Sequence, residues 1–75
     1  MTEKQQDILV KLGKRVKSLR EQRGLTLKEM GYKIDKDPQS ISRLEIGKIN
    51  PSYLYLLEIC AGLDIEIKAL FSDKE

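Results

Sequence analysis

A chain of 75 residues has room for one small domain, residues 1–75, and a core too modest to share with a second. Its 40% apolar and 35% charged residues exclude a disordered polymer, its single cysteine excludes an intrachain disulfide, and no apolar run has the length of a membrane span or the pattern of a secretory leader. The formal net charge of +2 says little until it is located: residues 1–24 carry seven basic side chains against three acidic, residues 25–50 five against four, and residues 51–75 two against five, so a basic front is joined to an acidic back.

The first periodic segment is predicted as a helix over about residues 4–23. Leu12, Val16 and Leu19 recur at helical spacing, Ile8 and Leu9 lengthen the stripe, Lys14 and Lys17 fall opposite it, and Gly24 supplies a left-handed stop. Residues 25–47 then spell two short amphipathic helices across a turn too tight to let them lie side by side. Thr26 is the N-cap of the first and Glu29 completes a capping box, while Met30 and Ile34 point inward. Only Asp35, Lys36 and Asp37 separate Ile34 from Pro38, which suits the first position of a new helix with Asp37 as its N-cap. Ile41 and Leu44 continue the apolar face, leaving Gln39, Ser42 and Arg43 outside. A short polar helix presented in this way fits the major groove of DNA.

Asn50-Pro51 closes the next loop, and a fourth helix is expected from Pro51 or Ser52, with Leu56, Ile59, Cys60 and Leu63 on one face. A fifth, short helix is predicted within residues 64–71, with Asp64 as its cap and Ile65, Ile67, Leu70 and Phe71 as its apolar side chains. Residues 72–75 read as a frayed tail.

The segments Leu25-Thr26-Leu27-Lys28-Glu29-Met30-Gly31 and Ile41-Ser42-Arg43-Leu44-Glu45-Ile46-Gly47, followed by Asn50-Pro51, carry a resemblance that runs from about Leu12 to Phe71. The chain resembles the phage repressor and Cro-type (Xre-like) helix-turn-helix family, which includes phage repressors, controller proteins of restriction–modification systems and antitoxins that repress their own operons. The resemblance implies an all-α, compact five-helix lambda-repressor-like DNA-binding domain, with its core in residues 12–71 and its helix-turn-helix in residues 26–46. It further implies a homodimeric, sequence-specific transcriptional regulator bound to a partly palindromic operator in double-stranded DNA; the single cysteine and the lack of a leader pattern or membrane-length run give the cytoplasm as the expected compartment. Three positions depart from the family pattern. Leu27 stands where Gln is frequent, Asp35 replaces the turn glycine and must accept a left-handed backbone, and Lys36 occupies an often apolar position that its stem can cover.

Gln39 and Arg43 are the candidate base readers, because Gln pairs bidentately with adenine and Arg with guanine; Ser42 and Ser40 are secondary candidates. Without the resemblance, an exposed Gln or Arg would read as solvated helix surface. Thr26, Lys36, Lys48 and Asn50 are candidate phosphate contacts, the last two because residues 47–51 resemble the loop that lies along the DNA backbone in this family. The resemblance also aligns Arg20 and Glu45 with a partly buried structural ion pair. Ile67 and Phe71, with Leu54 contributing, are expected to form the dimer interface, while Ile65 and Leu70 turn inward.

Catalysis and metal binding lack parts: there is no histidine, no second cysteine and no nucleophile with a visible base, and Cys60 reads as a small core residue. No enzyme activity, cofactor, metal, small-molecule ligand or membrane partner is expected. The rival reading is an antitoxin-like protein-interaction module of a toxin–antitoxin system. It rests on Leu27, Ile46, Ile49 and Leu54, apolar at positions often polar on this fold.

Overall fold

The computed structural model describes residues 1–71, so the predicted tail at 72–75 lies outside the described residues. Four α-helices follow in order, α1 (Glu3–Gln22), α2 (Leu27–Ile34), α3 (Pro38–Glu45) and α4 (Tyr53–Leu63), and a final 3-10 helix spans Ile67–Phe71. No strand occurs among the described residues.

Each boundary has a local cause. Thr2 caps α1, its hydroxyl accepting the Gln5 N–H at 3.1 Å while the Gln5 side chain accepts the Thr2 N–H at 2.9 Å. This capping box carries the helix slightly beyond the predicted start, and its Thr-x-x-Gln pattern was present in the sequence. Gly24 takes φ +70° just past the end of α1. Thr26 and Glu29 form the predicted box at the start of α2, with bonds of 3.0 and 2.9 Å. At the start of α3 the Asp37 carboxylate accepts the Gln39 N–H at 2.9 Å, and Pro38 occupies the first turn. Ser52 caps α4 by accepting the Tyr55 N–H at 3.0 Å.

The core gathers Val16 and Leu19 of α1, Met30 of α2, Ile41 and Leu44 of α3, and Leu56, Ile59, Cys60 and Leu63 of α4, closed by Leu70. Two close approaches hold the helix-turn-helix. A Cβ on Gly31 would strike the Lys36 carbonyl oxygen, so glycine lets α2 fold tightly onto the turn. One on Gly13 would overlap the Glu45 carbonyl oxygen, so glycine also lets α1 reach the end of α3. Burial in this core pushes the Cys60 thiol pKa up, in keeping with a packing role.

The carboxyl-terminal segment departs from expectation. Asp64 does not cap a fifth α-helix; it ends α4 in the left-handed conformation, φ 57° and ψ 50°, and the Ile65 N–H reaches back to the Cys60 carbonyl at 3.0 Å. Beyond this bond the chain winds into the 3-10 turn, in which side chains three apart eclipse. Ile67 therefore joins buried Leu70 against the core and is half-buried instead of standing outside, Ile65 is also half-buried, and Phe71 is turned out. Arg15 of α1 donates to the Ala69 carbonyl at 3.0 Å, and Arg23 donates to the Leu63 carbonyl at 2.8 Å, securing this end of the domain.

Candidate nucleic-acid interface

The apolar side of α3 is committed to the core, which fixes what its other side presents. Gln39 and Arg43 are exposed, Ser42 is partly exposed between them, and Ile46, just past the helix end, is also exposed. Spacings of four and three residues put Gln39, Arg43 and Ile46 on one stripe. An amide and a guanidinium on such a stripe are the two side-chain groups that pair bidentately with purine edges in the major groove.

The turn before α3 relies on Asp35, which takes φ 56° and ψ 49°, the left-handed conformation expected where glycine is usual. The Lys36 N–H then bonds to the Gly31 carbonyl at 3.0 Å. Behind the stripe, Arg20 and Glu45 form the predicted ion pair. The guanidinium donates through Nε at 2.7 Å and Nη2 at 3.1 Å to the two carboxylate oxygens, and through Nη1 at 2.6 Å to the Leu25 carbonyl. Exposures of 7% for Arg20 and 5% for Glu45 make this a desolvated pair joining α1, the lead-in to α2 and the end of α3. Its hydrogen bonds to Glu45 raise the Arg20 pKa still further, so its charge is permanent.

Other candidates from the sequence take different positions. The Lys36 ammonium pairs with Glu58 at 3.1 Å and lies 5.4 Å from the centre of the Tyr55 ring, its side chain staying partly exposed. The Ser40 hydroxyl shares a 2.8 Å hydrogen bond with the Tyr55 hydroxyl, which turns it toward α4 and away from the Gln39 and Arg43 stripe. Thr26 is exposed at the start of α2, where its oxygen accepts the Glu29 N–H. Its O–H proton can serve a further acceptor. The Glu29 carboxyl pKa is lowered, chiefly by the backbone N–H of Thr26 and then by its side chain. Lys48 and Asn50 are exposed on the loop after α3.

That loop is held by residues that sequence reasoning misses. Gln6 donates to the Gly47 carbonyl at 2.8 Å, and a Cβ on Gly47 would press on Val10 at 2.8 Å. Gly47 also takes φ +79°. A glycine inside the helical pattern, at position 13, was the visible signal that α1 approaches another backbone closely. Tyr55, which braces both Lys36 and Ser40, carried no such signal.

Away from α3, Leu54 is 65% exposed and Phe71 62% exposed, whereas Ile67 is only half-exposed. No helix among the described residues is long and apolar enough to cross a membrane.

Comparisons with known proteins agree with this geometry. A Helix-turn-helix family model matches residues 16–70. The control protein C.MunI of Mycoplasma sp is 39% identical over 70 residues, covering 92% of this chain and 95% of the relative. The crystal structure of the restriction-modification controller protein C.AhdI from Aeromonas hydrophila superposes with a TM-score of 0.85 at 32% identity, covering 87% of this chain and 98% of that one. The clp gene regulator ClgR from C. glutamicum superposes with a TM-score of 0.79 at 27% identity, covering 83% of this chain and 80% of that one. The chain therefore belongs to the helix-turn-helix family, as a DNA-binding transcriptional regulator and not an enzyme.

Proposed function

We propose that the chain acts in the cytoplasm as a homodimer on a partly palindromic operator, as a control protein of the restriction–modification kind. The observation that carries this reading is the exposed Gln39 and Arg43 stripe on a short helix whose other face is buried and whose end is anchored by Arg20 and Glu45. Gln39 and Arg43 read base edges, with Ser42 beside them, while Lys48, Asn50 and Thr26 take phosphate oxygens. Ser40 supports this arrangement through Tyr55.

Pairing is supported by the size of the reading element. One short helix reaches only a few base pairs, whereas a twofold dimer presents two such helices about 34 Å apart, one turn of DNA. Exposed Leu54 and Phe71 supply apolar surface for a self-complementary contact, and half-buried Ile67 can add to it only at its edge. The same exposed apolar side chains, with Tyr53 and Leu57, favour a second reading, an antitoxin-like module that covers a protein partner.

Selection of bound sequences from a random double-stranded DNA pool tests the proposal. Enrichment of a motif with two related halves about one helical turn apart is the expected result. Indifference to DNA at physiological salt would favour the second reading.

A further inference from the structure

Ile46 lies on the reading stripe without either of the chemistries that read base edges by hydrogen bonding. It is 54% exposed, although Ile41 and Leu44 of the helix it follows are buried almost completely. Its place is also well fixed. The Ile46 N–H bonds to the Ser42 carbonyl at 3.1 Å, and the following Gly47 and Lys48 N–H groups return to Leu44 and Arg43 at 3.1 and 2.9 Å. Gln6 holds the Gly47 carbonyl, and the β-branch of Ile46 restricts its own side-chain rotation. A stiff apolar group is thus held out into solvent between two exposed cations, Arg43 and Lys48. Those flanking charges suit an anionic partner and oppose an apolar protein surface at this spot.

We propose that Ile46 recognises the 5-methyl group of a thymine in the operator, an inference that rests on the DNA-reading role of α3. The thymine methyl is the one apolar feature that a base edge offers in the major groove. Helical rise puts Ile46 about 4.5 Å along the axis beyond Arg43. That is close to the roughly 3.4 Å step between base pairs. Ile46 then adds a thymine preference next to the base read by Arg43, further from the one read by Gln39.

Replacing each thymine of the selected operator by uracil removes only the methyl group and leaves base pairing unchanged. With the parent protein, one position in each half-site is expected to lose affinity about fourfold on this replacement, and about fifteenfold when both halves are changed, the factor corresponding to one buried methyl group. Ile46→Ala, folded as judged by its melting transition because the side chain is exposed, is expected to bind the thymine and uracil forms equally. Uracil replacements that are neutral throughout, or a loss at the same position that persists in Ile46→Ala, would overturn the assignment to Ile46 while leaving the DNA-reading role in place. A parent protein that enriches no sequence would overturn that role and this inference together.

Discussion

The outward faces of α3 and α4 differ, although the two helices bury similar stripes. On α3 the exposed positions are chiefly hydrogen-bonding, Gln39 and Arg43 with Ser42 beside them, while on α4 Tyr53, Leu54 and Leu57 remain outside. Core formation requires only the inward stripe, Ile41 and Leu44 on one helix and Leu56, Ile59 and Leu63 on the other. The chemistry left outside is therefore free to answer to a partner, with polar forks suited to base edges and apolar side chains suited to another protein surface. The two faces also differ in how firmly they are held. Arg20, Leu25 and Glu45 tie the end of α3 to two other parts of the chain, and Tyr55 braces its first turn.

The largest expected effect comes from releasing that anchor. Glu45→Ala leaves the Arg20 guanidinium buried without its carboxylate and should cost about 3–5 kcal/mol of stability, measured by urea denaturation. Replacing both partners with Met should recover much of this loss, because no unpaired charge is left behind. A single variant as stable as the parent would show that the end of α3 is held by packing alone.

The apolar face is broken by Leu54→Glu. A charge on each copy should weaken self-association by about 2 kcal/mol per copy, the scale for burying one leucine side chain. Sedimentation should then show a folded monomer that keeps its half-site preference and binds the full operator weakly. A parent that is monomeric at micromolar concentration would remove the face from the dimer.

Lys48→Ala should sharpen the difference between reading and positioning. It is expected to weaken binding to all sequences alike and to reduce the slope of log affinity against log salt by about one, with the preferred sequence unchanged. A changed sequence preference would place Lys48 among the readers.

The smallest effect is expected at the turn. Asp35→Gly relieves a left-handed side-chain position but increases the freedom of the unfolded chain, for a net gain of about 0.5 kcal/mol in thermal stability. A loss of stability would mean that the Asp35 side chain contributes more than its backbone conformation costs.

The parts legible in the sequence were those with local causes. Thr26 with Glu29, Asp37 with Pro38, and the Ile41 and Leu44 spacing fix their elements within a few residues of chain. Arg20 with Glu45 is a long-range pair that spacing alone does not reveal; resemblance to a family supplied it. The partners of the Lys36 side chain, Glu58 and Tyr55, are hidden from the sequence for the same physical reason, since they come from a different helix. Asp64 is ambiguous in sequence because aspartate both caps helix starts and tolerates left-handed ends; its left-handed backbone and the bond from Ile65 to Cys60 separate the two roles. Once that residue ended α4, the chain left after it formed a 3-10 turn, which changed the facing of Ile67.

The central claim, that the outward stripe of α3 reads DNA sequence, is tested most directly with Arg43→Ala. Affinities of the parent and the variant would be measured for every single-base change in the operator that the parent selects. The expected result is relaxed preference at one symmetric pair of positions, a loss of roughly 1–3 kcal/mol per contact on the best sequence, and an unchanged melting temperature. A variant that melts like the parent and keeps the parent's preference at every position would contradict the claim.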